Sequence, residues 1–206
     1  MSREPNLSTG GVQPPADAQR VRLWDPALRA FHWLLAALVI TTWLLGKFGP
    51  AKMTLHFWLG YAIIALLAFR LIWGLIGPQP ARFTHFLKGP GPVVGYLRHM
   101  FAREPSYWPG HNPMGGWAVV LLLGLLVWQV GTGLVVDPDD FINVGPLADQ
   151  VSAATRKAAR GWHNLGATLL LVMVVVHVGI IAFYKLWKRE DLVRPMLTGW
   201  KWVRRR

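Results

Sequence analysis

The chain contains no cysteine. That absence excludes disulfides, cysteine-ligated iron–sulfur clusters and the paired-cysteine attachment of a c-type haem, so any redox group has to be held by other ligands. Acidic residues are scarce too: ten Asp and Glu stand against 22 Lys and Arg, giving a formal net charge of +12. The opening segment lacks the apolar core and small-residue cleavage site of a signal peptide, being polar and broken by Pro5, Pro14, Pro15 and Pro26. The first apolar helix is therefore expected to be retained.

Apolar sequence is what the chain has in abundance, with 53% hydrophobic residues and twelve Trp in 206 residues. Four stretches, 30–47, 56–77, 115–136 and 162–184, each approach the roughly 20 residues needed to cross about 30 Å of hydrocarbon. They predict an all-α membrane protein, a four-helix transmembrane bundle over residues 21–206, preceded by a disordered tail at 1–20. "VRLWDP" is expected to run along the membrane surface, and a short amphipathic helix is expected at 93–103. Trp33, Trp58, Trp73, Trp117, Trp162 and Trp187 lie near the predicted helix ends, as an interfacial belt does.

Basic residues set the expected orientation. Arg3, Arg20, Arg22 and Arg29, then Arg82, Lys88, Arg98 and Arg103, then eight more from Lys185 onward, fall on one side. The other side has Lys47, Lys52, Arg156, Lys157 and Arg160. The asymmetry predicts both termini in the cytoplasm. Because the cations cluster beside helix ends, membrane lipid accounts for them and nucleic acid is not an expected partner.

Four of the seven histidines, His32, His56, His163 and His177, fall inside or at the ends of predicted spans. Ionisable groups at such depth are costly and mark functional positions. Fourteen residues at about 100° each leave His163 and His177 within roughly 40° of one helical face and about 21 Å apart along the axis. Helix direction puts His56 at a depth like that of His163, and brings His32, more loosely, toward the level of His177. Two imidazoles facing across a bundle suit the two axial positions of a six-coordinate haem. Zinc wants three or four ligands at one point, and no third candidate lies at either depth. A proton relay stays open, though it does not call for pairing by depth. Gly60 follows His56 by four residues and Gly166 follows His163 by three, which suits either close helix packing or room for a flat ligand.

The segments "RAFHWLLAALVITTWLLG", "LHFWLGYAIIALLAFRLIWGLIGPQPARF", "GHNPMGG" and "WHNLGATLLLVMVVVHV" occur in this order and cover most of residues 22–200. Together they resemble the bacterial cytochrome b561 family, in particular the b-type cytochrome subunits of nickel–iron hydrogenases and formate dehydrogenases. The resemblance implies two haems b, one between His32 and His177 on the cytoplasmic side and one between His56 and His163 on the periplasmic side. It also implies electron exchange with membrane quinone, and points to His111 and Asn112 as quinone-pocket residues. "GHNP" equally reads as a helix cap, with Asn112 capping and Pro113 at the first helical position. Arg70 is expected either to meet a haem propionate or, as the favoured reading, to snorkel to the surface.

The expected function is electron transfer across the membrane between quinone and a periplasmic redox partner, either a c-type cytochrome or a hydrogenase or dehydrogenase subunit. Asp137, Asp139 and Asp140 offer a docking patch for a basic partner, although solvated loop charge is the simpler account. Two other readings compete. One is a free-standing quinone reductase fed by a diffusible reductant such as superoxide, and the other is a haem-free anchor or small transporter.

Overall fold

The computed structural model describes residues 18–204, apart from 51, 52, 107 and 139–141. Strand β1 (Ala18–Arg22) is followed by helices α1 (Pro26–Phe48), α2 (Thr54–Ile76), α3 (Phe83–Phe86), α4 (Pro90–Arg98), α5 (Pro113–Val135), α6 (Ala153–Leu186) and α7 (Val193–Thr198), then strand β2 (Trp200–Arg204). Helices α1, α2, α5 and α6 are the four long and apolar enough to cross a membrane. At about 1.5 Å per residue, the 34 residues of α6 outrun the hydrocarbon, so its first turns project beyond the span.

Local chemistry sets where the helices begin. Asp25 caps α1 by accepting from the Leu28 N–H at 3.0 Å, with Pro26 in the first turn. Asn112 caps α5 in the same way through Gly115 N–H at 2.7 Å, and Ser152 caps α6 through Thr155 N–H at 3.2 Å. Caps that far upstream explain why α6 starts nine residues before the apolar stretch that announces it.

Between the helices, Ile63, Leu67, Leu126 and Leu170 form a buried apolar layer at mid-bundle. Outward, residues such as Leu34, Ile40, Leu71, Leu75, Leu121 and Val175 remain exposed, an apolar girdle that only lipid satisfies. Five of the expected belt tryptophans are exposed. Trp73 instead turns inward, stacking on Phe69 at 5.4 Å and donating to Asp25 Oδ2 at 3.4 Å.

The two ends of the described chain meet at one end of the bundle, because β1 and β2 pair antiparallel, with Ala18 opposite Arg204 and Arg22 opposite Trp200. This is the terminal end of the bundle, and the opposite one is the far end. Of the expected disordered tail, residues 1–17 lie outside the described residues, whereas 18–20 belong to β1. Leu23 and Trp24 are buried, packed with Leu28, Phe31 and Ala81. Both their N–H groups donate to the Gly199 carbonyl, at 2.8 and 3.2 Å, which locks the entry to α1 onto the C-terminal strand. The expected helix at 93–103 is α4, which starts earlier, at Pro90, and ends at Arg98.

A buried polar cluster fastens the same end. Lys201 Nζ lies 3.0 Å from Glu190 Oε1, with both residues buried. Glu190 Oε2 accepts from the Ser106 N–H and hydroxyl, each at 2.7 Å. Although burial alone raises a carboxyl group, Lys201 and the Ser106 donors outweigh it and hold Glu190 below its ordinary value. Tyr96 is pushed up to about 12 by burial and by the Glu190 charge.

Candidate functional site

The four membrane histidines come together in two pairs. At the far end, His56 on the first turn of α2 faces His163 of α6, with ring centroids 6.2 Å apart and planes at 68°. At the terminal end, His32 of α1 faces His177 of α6 at 6.4 Å and 50°. The second pair, whose depth match is looser in sequence, is as close as the first.

Hydrogen bonding fixes the tautomer at the far end. A carbonyl oxygen can only accept, so His56 Nδ1, 3.1 Å from Thr42 O, carries a proton and leaves Nε2 with its lone pair. His163 Nδ1 donates to Gln129 O at 3.0 Å and has the Thr132 hydroxyl at 3.2 Å. His163 Nε2 is met by the Gln129 amide nitrogen at 3.2 Å. An imidazole anchored through Nδ1–H to a carbonyl, with Nε2 available, is the arrangement that metal-ligating histidines use. At the terminal end, His32 Nδ1 is buried with no hydrogen-bond partner.

The spacing can be tested against a metal held between two imidazoles. A metal–imidazole bond of about 2 Å plus a nitrogen-to-centroid distance of about 1 Å, taken on both sides, gives a centroid separation of about 6 Å. Both pairs stand at that separation. A cavity of about 510 Å³ opens beside the far pair, lined by His56, His163 and mostly apolar side chains. Among the described residues, no three His, Cys, Asp or Glu side chains converge as a zinc site requires. The residues present therefore fit an axially ligated planar group better than a bare ion.

The two glycines divide between the two expected roles. Gly60 lines the cavity, and a Cβ there meets nothing within 4 Å. Gly166 does not face it. A Cβ on Gly166 collides with Gln129 Oε1 and comes within 3.1 Å of Trp128, so this glycine serves the packing of α5 on α6. The glycines pressed against the imidazoles are Gly46, whose added Cβ lies 3.4 Å from His56, and Gly133, at 3.0 Å from His163.

Arg70 does not snorkel. It is 2% exposed, donates to Ala81 O at 3.1 Å, and lies over the Phe83 ring at 4.5 Å. Its Nη1 is buried without a partner. Room for this arrangement comes from Gly74, where a Cβ collides with the Phe83 ring and lies 2.7 Å from Arg70 Nη1. The short α3, absent from the sequence reading, folds Phe83 and Phe86 over the guanidinium and so keeps water and lipid headgroups from it.

His111 and Asn112 also belong to the terminal end. His111 packs between Trp24 and Phe86, each with its ring centroid 4.9 Å away, and its Nδ1 is buried without a partner. Burial first, then the charges of Arg70 and Lys201, push its imidazole down to about 3. Asn112 has both ends of its side chain engaged. Oδ1 caps α5 and Nδ2 donates to the buried Tyr184 hydroxyl at 2.7 Å. His99, by contrast, is exposed and bonds back to Gly95 O at 3.1 Å.

Gln129, Thr132 and Thr42 are site residues that the histidine pattern does not point to. Gln129 carried a signal, since an amide inside an apolar span is costly and faces the interior of a bundle. Thr42 acts through its backbone, which composition does not mark.

Four membrane-length helices carrying two facing histidine pairs, one toward each end, define a class: an intramembrane helical bundle with paired imidazoles at two levels. The profile of the prokaryotic cytochrome b561 family matches residues 23–199, and the chain belongs to that family. A b-type cytochrome carries haem b, so membrane electron transfer is the family's business. Similar relatives are the probable Ni/Fe-hydrogenase B-type cytochrome subunits of Azotobacter chroococcum mcd 1 and Azotobacter vinelandii. Each is 23% identical, over 98% of this chain and 97% of the relative. The protein of the same description from Rhizobium leguminosarum bv. viciae is 22% identical over 89% of both chains. No solved structure matches the chain significantly.

Proposed function

We propose that this protein is a two-haem b-type cytochrome of a bacterial inner membrane that carries electrons between the quinone pool and a redox partner on the other face. The observation that carries the reading is the near-equal spacing of the two imidazole pairs, 6.2 and 6.4 Å, at two levels along one shared helix. His56 with His163 would hold one haem, and His32 with His177 the other. Haem b, when bound, supplies an iron centre that cycles between two oxidation states by one electron.

The chain's own residues do the rest. Thr42 O and Gln129 O orient the far-end imidazoles by accepting hydrogen bonds from their Nδ1–H groups, which also raises the basicity of Nε2. The Gln129 amide meets His163 Nε2 at 3.2 Å and would have to turn aside for that nitrogen to hold iron. Arg70 places a buried cation at the terminal end and suits a propionate, since its Nη1 otherwise goes unmatched. The layer of Ile63, Leu67, Leu126 and Leu170 separates the two sites with apolar packing and keeps water from joining them.

The charge asymmetry supports a cytoplasmic terminal end, with the His56 and His163 pair toward the periplasm. Quinone then reacts near His111, an uncharged imidazole in an aromatic slot that offers a hydrogen-bonding nitrogen without a partner. Asn112 holds that segment in place through α5 and Tyr184. The names of the relatives favour a nickel–iron hydrogenase as the periplasmic partner over a dehydrogenase or a c-type cytochrome. A reduced-minus-oxidised spectrum with haem quantification tests the reading. Two haems b per chain support it; a colourless protein with no α-band ends it.

A further inference from the structure

We propose that Lys47 and Arg160 bind the two carboxylates of the cofactor in the far-end cavity, turning its charged edge toward the end of the bundle opposite the termini. This rests on the haem reading above.

The far-end cavity is apolar except around the imidazoles and at a few rim positions. Lys47 and Arg160 are the charged residues that line it among those described. Lys47 sits in the last turn of α1, and Arg160 precedes His163 by three residues, on the same side of α6. Both are exposed, so they stand at the mouth rather than in the depth. Haem b carries two propionates on one edge of an otherwise apolar disc. An apolar cavity gives that edge no stable place except beside matching cations, because a buried carboxylate without a partner is strongly disfavoured. Two cations at one rim match two carboxylates on one edge. Arg160 Nη1 donates to Pro138 O at 3.2 Å, which fixes the guanidinium at the rim, and a guanidinium has five N–H donors in all. Arg156, a turn away, provides a natural control. It pairs with Asp137 at 3.7 Å and Asp149 at 3.6 Å and does not line the cavity.

The test uses the full-length protein in detergent, with wild type, K47Q/R160Q, both single variants and R156Q. Haem transfer to apomyoglobin and spectroelectrochemical midpoint potentials are read for each haem, the far-end one being assigned in a His32→Ala background. In K47Q/R160Q the far-end haem is expected to leave several-fold faster. Its midpoint falls, because removing positive charge favours the oxidised iron. The terminal-end haem keeps its wild-type values. The single variants shift the same way by less, so the test does not depend on the double variant accumulating. R156Q matches wild type. Unchanged transfer and potentials in K47Q/R160Q, or an equal shift in R156Q, overturn the inference while leaving the two-haem reading standing. A wild-type protein without haem overturns both.

Discussion

Gly74 of α2 lies where any side chain would strike the Phe83 ring, and so makes room for Arg70 to pass beneath that ring into the terminal end of the bundle. A buried guanidinium is thereby built into the membrane protein at a place where lipid could not reach it. Gly74→Ala is expected to drive Phe83 or Arg70 out of position. The prediction is loss or weakening of the haem held by His32 and His177, with the other haem retained. Haem quantification with spectra that resolve the two centres checks this, and an unaltered pair of spectra contradicts it.

Arg70 itself gives a second prediction. Arg70→Leu removes the buried cation and leaves the Ala81 carbonyl without its donor, an expected cost of about 1–3 kcal/mol. The haem potential at the terminal end falls, since the oxidised iron no longer faces that cation. Potentiometry on Arg70→Leu and Arg70→Lys separates charge from shape. The lysine variant is expected to keep most of the potential but less of the thermal stability.

The ion pair of Lys201 and Glu190 should show in acid titration. Glu190 is held below its ordinary value, so its contribution to stability is fully present above about 4.5 and is lost as pH falls through the lower, folded value. Glu190→Gln removes this acid-dependent loss and leaves Lys201 buried without its counter-ion, at a cost of roughly 3 kcal/mol or more at neutral pH. Thermal melts of the detergent-solubilised protein across acid pH provide the measurement. An acid limb of equal depth in wild type and variant would show that Glu190 is not its source.

Asn112 carries a structural role that can be weighed against the quinone pocket. Asn112→Ala loses both the α5 cap and the partner of the Tyr184 hydroxyl, together about 1–3 kcal/mol. Asn112→Asp keeps the cap, and the tyrosine can donate to the new carboxylate. If Asn112 serves by holding His111 in its slot, Asp restores stability and quinol-dependent reduction together. Recovery of stability without recovery of reduction would instead mean that the amide meets quinone directly.

Much of the bundle was legible in the sequence because hydrocarbon imposes a length and a composition, and the four apolar stretches met both. Depth matching found the two histidine pairs because helix direction alone fixes which histidines share a level. It understated the His32 and His177 pair, because capping at Asp25 starts α1 before its apolar stretch and seats His32 deeper in the helix than the stretch suggests. Arg70 was misread since a cation near a helix end ordinarily snorkels, and the residues that prevent it, Phe83 and Phe86, lie in a Pro-rich connection with no periodicity to read. The spacing of Gly166 allows either helix packing or room for a ligand, and the structure shows packing against Gln129; spacing places a glycine on a face without telling which neighbour fills the gap. The pairing of β1 with β2 joins opposite ends of the chain, and no local pattern announces such a contact.

The central claim is that two haems are each held by one named pair of histidines. It is tested most directly by substituting each of the four with alanine and resolving which haem the purified protein retains. His56→Ala and His163→Ala are expected to lose the same spectral component, and His32→Ala and His177→Ala the other. If all four variants lose the same component, or the pairs cross over, or any variant keeps both haems with unchanged spectra, the assignment is contradicted.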